Sequence, residues 1–241
     1  MLYWRAKIGL ICPGPAVTAE NDFNRYAPEG VGISSMHIGW GAPGNGPTPE
    51  RLKSMAANLE EGCRSFLDPR VEQDVIIFGC TSGSFIGGPT FDQECIQLIQ
   101  RVTGTKGLTT STAVLEGLRR LGAGKVALIT PYPDETNEAE RLFLEKNGVE
   151  VTNLVDMNPQ RQFIPSLDPV YVYGQAKKMD KTGAEALFVS CTGLNCMGVI
   201  REMEEDFGLP VITSNQASLW ASLRLARVGA RTGGLGRLFT L

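Results

Sequence analysis

An internal repeat constrains the fold of this chain more than any other feature of its sequence. The segment KIGLICPGP at residues 7–15 resembles KVALITPYP at 125–133, with a lysine, an apolar run and two prolines one residue apart. Each segment is followed by a later apolar run that ends in Cys-Thr, namely VIIFGCT at 75–81 and ALFVSCT at 186–192. Two structurally similar halves are the simplest explanation of this order.

Apolar runs and helical patterns alternate along the chain. The runs predict strands at residues 7–12, 31–38, 74–79, 125–130, 149–155, 186–190 and 210–214, and the helical patterns predict helices at 49–66, 91–102, 111–121, 134–147, 169–181, 196–206 and 215–227. Such alternation is typical of α/β proteins, and runs without a two-residue period fit parallel strands buried on both faces. We therefore expect an α/β fold of two similar, doubly wound parallel-sheet halves related by a pseudo-twofold axis, with the active site between them.

Composition and charge argue against several classes of protein. The 241 residues carry a formal net charge of −3 and no run of basic residues, which does not favour a nucleic-acid-binding surface. No apolar stretch approaches the roughly 18 residues of a membrane-spanning helix, and the first residues lack the pattern of a secretory signal. We therefore expect a cytoplasmic protein that binds neither nucleic acid nor membrane, and a homo-oligomer is compatible with the sequence.

The six cysteines are expected to be free thiols, because nothing in the sequence indicates secretion. A metal site is not expected, because no CxxC pair occurs and the chain has a single histidine. The sequence favours structural roles for Cys63, Cys95, Cys196 and His37. Cys12 ends the first predicted strand, where packing and a place in the cleft are equally compatible with the pattern.

Cys80 and Cys191 are the candidate catalytic residues. Both stand at the carboxyl end of a predicted strand, where ligands bind in open parallel sheets. Each is followed by a predicted helix start, whose backbone N–H groups would lower the thiol pKa. Two halves facing each other would place the thiols on opposite sides of one cleft. One thiol could then remove a proton from a carbon while the other supplies a proton to the opposite face, or one thiolate could add to a double bond while the other handles the proton.

Neutral hydrogen-bond donors surround both cysteines. The predicted substrate-binding residues come from the two Cys-Thr turns and the two Pro turns: Thr81, Ser82, Thr192, Gly193, Tyr132, Pro13 and Pro15. Ser84 adds a further hydroxyl, for which helix capping is an equal alternative. Neither Cys turn contains Lys or Arg, so hydroxyls and backbone N–H groups would have to stabilise the anion that forms when the α-carbon of a carboxylate loses a proton.

Five segments carry a resemblance to a known family: CTSGS at 80–84, SCTGLNC at 190–196, TPYPDETNEAE at 130–140, STAVLEGLRRLG at 111–122 and GLGRLF at 234–239. They resemble the aspartate/glutamate racemase superfamily, and within it the branch of arylmalonate decarboxylases and maleate cis–trans isomerases. The resemblance covers nearly the whole chain and implies an enzyme that acts on a small carboxylate without a cofactor. It also implies a first half at residues 1–113, a second half at 114–213, and a C-terminal segment, 214–241, that returns to pack on the first half.

The resemblance assigns a role to each of the site residues that match the family. Cys80 matches the nucleophile of maleate isomerases and one of the two acid/base groups of racemases. Cys191 matches the proton donor of arylmalonate decarboxylases. The carboxylate-binding donors of those decarboxylases are matched by Thr81, Ser82 and Tyr132.

Departures from the family pattern leave the reaction open. Arylmalonate decarboxylases have glycine in place of Cys80, and Ala16 stands where maleate isomerases have an asparagine. We therefore predict a cofactor-independent, two-cysteine isomerase or racemase for a small carboxylate. The alternatives are an arylmalonate-type decarboxylase, which needs only Cys191, a racemase-like protein of ectoine degradation, and a carboxylate-binding protein without activity.

Overall fold

Two four-stranded parallel sheets form the framework of the protein. The computed structural model describes residues 3–14, 17–41, 46–68, 72–229 and 234–241. The first sheet has the order β2-β1-β3-β4 and the second the order β6-β5-β7-β8. The strands are β1 Ala6–Pro13, β2 Val31–Ile38, β3 Val75–Phe78, β4 Lys106–Thr109, β5 Lys125–Thr130, β6 Glu150–Asp156, β7 Ala186–Val189 and β8 Val211–Thr213. The repeated order confirms the prediction of two similar α/β halves.

Ten α-helices connect and cover the strands in the described ranges. They are α1 Thr18–Tyr26, α2 Pro49–Ala56, α3 Leu59–Arg64, α4 Thr81–Phe85, α5 Phe91–Thr103, α6 Thr110–Leu121, α7 Asp134–Lys146, α8 Pro169–Lys178, α9 Ile200–Phe207 and α10 Ser214–Leu225. None of these helices is both long and apolar enough to cross a bilayer.

The central strands place the two cysteines at equivalent positions. All four residues of β3 and all four of β7 are buried, as expected for parallel strands covered by helices on both faces. Burying each large aliphatic or aromatic side chain contributes about 1.5–3 kcal/mol, so these short strands are anchored by packing. Cys80 lies two residues beyond β3, and Cys191 two residues beyond β7.

One strand and two helices were missed by the sequence patterns. Strand β4 has only four residues, KGLT, and Leu108 is its one large apolar residue, so the segment contains no apolar run. A Cβ atom at Gly107 would lie 2.8 Å from the carbonyl oxygen of Ile96, so the glycine allows α5 to pack closely on this strand. Helix α1 is mostly polar, and helix α4 has five residues, too few for a periodic pattern.

Helices α6 and α10 pack against each other between the two sheets. Helix α10 also contacts strands β3 and β4 of the first sheet, helix α1, and strand β8 of the second sheet. The boundary expected between residues 113 and 114 falls inside α6, so this helix belongs to the connection between the halves. The division at 1–113 and 114–213, with 214–241 returning to the first half, remains a proposal.

Candidate active site

Cys80 is the N-cap residue of helix α4, two residues beyond the end of strand β3. Its backbone is extended, and its sulfur accepts a hydrogen bond of 3.2 Å from the backbone N–H of Gly83. A Cβ atom at Gly83 would lie 2.9 Å from this sulfur and 2.6 Å from Cε of Met55. Glycine is therefore required for the N–H group to approach the thiol.

Cys191 lies in a turn with an unusual backbone conformation. Its φ of 130° lies in a region that residues with a side chain rarely adopt. The sulfur accepts a hydrogen bond of 3.3 Å from the backbone N–H of Gly193. No helix begins at this turn, because helix α9 starts only at Ile200. A short 3-10 helix starts at Met197, so the helix expected a few residues after each cysteine begins directly after Cys80 and several residues further along the chain after Cys191.

Ser214 connects the two cysteine turns through one oxygen atom. Its Oγ accepts 2.8 Å and 3.0 Å hydrogen bonds from the Thr81 hydroxyl and the backbone N–H of Cys191, respectively. Ser214 is the first residue of α10, and it is fully buried. The two turns therefore meet at the N-terminus of the last long helix, which brings the predicted catalytic residues together.

Both candidate thiols hold their protons tightly. Burial raises the pKa of Cys80 to about 12 against the opposing hydrogen bond from Gly83. Burial raises the pKa of Cys191 to about 11, although hydrogen bonds from Tyr132 and Gly193 lower it. The expectation of lowered thiol pKa values is therefore wrong, because desolvation of the thiolate outweighs the backbone donors.

The two thiols also influence each other. A charge on Cys191 raises the pKa of Cys80, so the state with two thiolates is disfavoured. Groups that interact in this way titrate as a pair. Once one of the thiols has ionised, the other is therefore favoured to stay protonated, which is the protonation state that an acid/base pair requires.

Tyr132 links the Pro turn of the second half to Cys191. The residue follows β5 by two positions and is buried. Burial raises its pKa well above the ordinary value, and the charges of Cys191 and Glu140 act in the same direction. Its hydroxyl therefore remains a neutral donor, and its hydrogen bond lowers the pKa of Cys191.

The hydroxyl groups of Thr81 and Ser82, which are also predicted donors, point to different partners. The Thr81 hydroxyl points to Ser214, whereas Ser82 Oγ lies 3.9 Å from the sulfur of Cys80. In the described ranges, no acceptor pairs with the backbone N–H groups of Thr81, Ser82 and Thr192. The N–H of Gly193, in contrast, is engaged with the sulfur of Cys191.

Asn215 is hydrogen-bonded to the turn that contains Cys191. Its Nδ2 donates to the carbonyl oxygen of Thr192 at 3.1 Å and to Oδ2 of Asp22 in helix α1 at 2.7 Å. In the first half, the hydroxyl of Ser111 donates to the carbonyl oxygen of Thr81 at 3.2 Å. Ser111 and Asn215 are each the second residue of their helices, α6 and α10, so the two halves support their turns in the same way.

The remaining predicted residues lie in the Pro turn of the first half. Pro13 is buried at the end of β1, whereas Pro15 lies outside the described residues. Cys12 is fully buried, and the charge of Cys80 contributes to its raised pKa. His37 Nδ1 is 2.8 Å from the carbonyl oxygen of Gly14, and its Nε2 is 3.2 Å from Glu20. His37 therefore fixes this turn, as expected for a structural residue.

Sequence reasoning missed four residues around the site: Asp22, Glu140, Ser214 and Asn215. A signal for two of them was present. The segments LTTST at 108–112 and ITSNQ at 212–216 each end a strand and start a helix with a threonine cap. Comparing these segments extends the internal repeat and points to Ser214 and Asn215.

Similarity to known proteins defines the family. The arylmalonate decarboxylase family model matches residues 48–239. The arylmalonate decarboxylase of Bordetella bronchiseptica is 31% identical over 96% of this chain and 95% of its own length. The chain therefore belongs to the arylmalonate decarboxylase family, which confirms the branch indicated by the sequence motifs.

Maleate isomerases are also similar to this chain. The maleate isomerase of Nocardia farcinica is 26% identical over 96% of this chain and 94% of that protein. A solved structure of a mutant of the Nocardia farcinica maleate cis-trans isomerase, with a covalently bound succinylcysteine intermediate, matches with a TM-score of 0.85 at 22% identity. The match covers 97% of this chain and 98% of that one, which supports the two-half fold.

Proposed function

We propose that this protein is a cofactor-independent isomerase that interconverts the cis and trans forms of a small unsaturated dicarboxylate with Cys80 and Cys191. The observation that carries the proposal is the pairing of two thiols at equivalent strand ends, in turns that are joined through Ser214, with a charge on Cys191 disfavouring a charge on Cys80. A decarboxylase needs only one of these thiols. The similarity to maleate isomerases over nearly the whole chain supports the choice.

The proposed reaction begins with addition to the double bond. The thiolate of Cys80 forms a carbon–sulfur bond, and the π electrons move to the neighbouring carbon beside a carboxylate. The Cys191 thiol then donates its proton to that carbon. Rotation about the resulting single bond, removal of the same proton by Cys191 and cleavage of the carbon–sulfur bond release the trans isomer and restore Cys80. The covalent succinylcysteine in the Nocardia farcinica structure supports an intermediate of this kind.

Neutral donors are proposed to stabilise the charge that develops during addition. The unpaired backbone N–H groups of Thr81, Ser82 and Thr192 lie in the two turns, and Tyr132 contributes a hydroxyl. Fixed donors in a buried site stabilise developing charge more effectively than water does. The Cys80 thiolate that starts the reaction forms when this thiol releases its proton to solvent, and its raised pKa makes the thiolate a minor species before the substrate binds.

The isomerase proposal is tested with maleate as substrate and proton NMR to follow fumarate. Cys80→Ser and Cys191→Ser should each lower turnover by at least ~10³-fold, since each removes a group that reacts directly. Cys95→Ser, a buried cysteine on α5, is the matched control and should retain activity. Mass spectrometry of Cys191→Ser with maleate should find a succinyl adduct on Cys80. Near-normal turnover by Cys80→Ser would contradict the proposal.

Decarboxylation of an arylmalonate is the second candidate. The family match and the 31% identity to an arylmalonate decarboxylase favour it. It requires donors for a carboxylate and only Cys191 as proton donor. With phenylmalonate as substrate, Cys80→Gly should retain or increase carbon dioxide release, whereas Cys191→Ser should lose it. Release of carbon dioxide by the unmodified protein, without conversion of maleate, would favour this candidate over the isomerase.

A further inference from the structure

The carboxyl group of Glu140 is buried next to the turn that contains Cys191, and it has no charged partner among the described residues. Glu140 lies on helix α7 and is 1% exposed. The hydroxyl of Ser190, the residue before Cys191, donates to its Oε1 at 2.5 Å. Within the described residues, its Oε2 is buried and has no hydrogen-bond partner. Burying an ionised carboxylate in this way is much less favourable than burying the neutral acid.

The surroundings of Glu140 favour its protonated form. Burial raises the pKa of Glu140 to about 8, and the hydrogen bond from Ser190 only partly opposes this effect. Helix α4, which packs against α7, contains no titratable side chain. On the neighbouring strand β6, Asp156 is paired with Arg161 and Glu150 with Lys125. No basic group of the described chain neutralises Glu140.

The charge state of Glu140 acts on the reacting groups. A negative charge on Glu140 raises the pKa of Cys191 and also that of Tyr132. Ionised Glu140 would therefore oppose the formation of a thiolate at Cys191 and weaken the ability of Tyr132 to stabilise charge beside it. The neutral acid has neither effect, and it still accepts the hydrogen bond that fixes Ser190.

We propose that Glu140 is a positioning residue that works as a neutral carboxylic acid, and that its ionisation at alkaline pH suppresses proton transfer by Cys191. The effect on turnover rests on the proposed function, whereas the effect on the reactivity of the Cys191 thiol does not. Glu140 thus sets an alkaline limit to the activity of the site without touching the substrate.

The test compares Glu140→Gln with Glu138→Gln. Glu138 lies on the same helix but is exposed and paired with Arg141, so it controls for the substitution. The ratio of maleate turnover at about pH 9 to that at about pH 7 should be ~10-fold higher in Glu140→Gln than in the unmodified protein, which corresponds to about one pKa unit at Cys191. Glu138→Gln should keep the unmodified ratio. An unchanged ratio in Glu140→Gln would overturn the proposal.

Alkylation by iodoacetamide provides a readout that needs no substrate. The alkylation rate of Cys191, followed by mass spectrometry across the same pH range, should rise at lower pH in Glu140→Gln than in the unmodified protein. If Glu140→Gln does not fold, Ser190→Ala serves instead. Losing the hydrogen bond from Ser190 should raise the pKa of Glu140, so the pH at which activity is lost should also rise. If the pH dependence of Cys191 alkylation is the same in both variants as in the unmodified protein, the inference is refuted.

The two proposals can fail separately. If maleate is not converted but the alkylation of Cys191 still responds to Glu140→Gln, the proposed function is wrong and the role of Glu140 stands. If maleate is converted but neither pH profile responds, the role of Glu140 is wrong and the isomerase stands.

Discussion

At the scale of single residues, the backbone of Cys191 is strained at a position that belongs to the proposed site. Only three non-glycine residues in the described ranges have a positive φ, and Cys191 is one of them. A conformation of this kind typically costs about 1–3 kcal/mol for a residue with a side chain. This conformation nevertheless lets the Cys191 sulfur accept a hydrogen bond from the N–H of Gly193 and lets the Cys191 N–H donate one to Ser214 Oγ. The strain is therefore tied to the geometry of the proposed site.

Glycine should relieve this strain. We expect Cys191→Gly to be more stable than Cys191→Ala by about 1 kcal/mol, because glycine adopts a positive φ freely. The control pair is Cys95→Gly and Cys95→Ala in the interior of helix α5, where glycine should instead be less stable by about 1 kcal/mol. Urea unfolding of the four variants measures both differences. The same order in both pairs would show that the Cys191 backbone is unstrained.

At the scale of secondary-structure elements, Asp22 couples helix α1 to helix α10. Its carboxylate accepts a hydrogen bond from Asn215, and Asp22 is 4% exposed. Burial raises its pKa from 3.8 to about 6, although Asn215 and Arg25 lower it. The folded protein thus binds this proton more tightly than the unfolded chain does. The stabilising effect of that proton is present below about pH 4 and is lost as the pH rises to about 6.

Asp22→Asn removes this pH dependence while keeping the size of the side chain. As the pH rises from about 4 to about 6, the free energy of unfolding of the variant should increase relative to that of the unmodified protein, which loses the stabilising effect of the Asp22 proton. Urea titrations at several pH values in this window measure the change. Two curves that stay parallel across the window would show that Asp22 keeps an ordinary pKa in the folded state.

The sequence predicted the elements that are strongly patterned and missed those that depend on their neighbours. Strands β3 and β7 were found because every residue in them is apolar and buried. Strand β4 was missed because its glycine serves the close packing of α5, which no local pattern shows. The two cysteines followed from the repeat. Their raised pKa values did not, because desolvation depends on what the rest of the chain packs around them.

At the scale of the whole molecule, the two halves share their covering helices. Helix α6 follows the first sheet and α10 follows the second, and they pack against each other. Residues 214–223 at the start of α10 are all buried, and many of their contacts lie outside the second sheet. Similar halves are thus present, but neither has a complete core.

Separate fragments should therefore not fold. We expect residues 1–122 and 123–241, produced individually, to lack cooperative unfolding transitions, because each exposes the apolar surface that the other covers. When they are co-expressed, the fragments should purify together. Circular dichroism and thermal unfolding report on the single fragments. A cooperative transition in fragment 1–122 alone would show that the first half is an independent domain.

The oxygen of Ser214 accepts bonds from a side chain 133 residues away and from a backbone N–H 23 residues away. The position of the two Cys turns relative to each other accordingly depends on the position of one helix, α10. A substitution that shifts this helix, among the residues that pack against α10, would move the Cys80 and Cys191 turns together. If the proposed substrate binds between these turns, a small shift of α10 would be enough to admit a bulkier acid, and the sequence of neither turn would have to change.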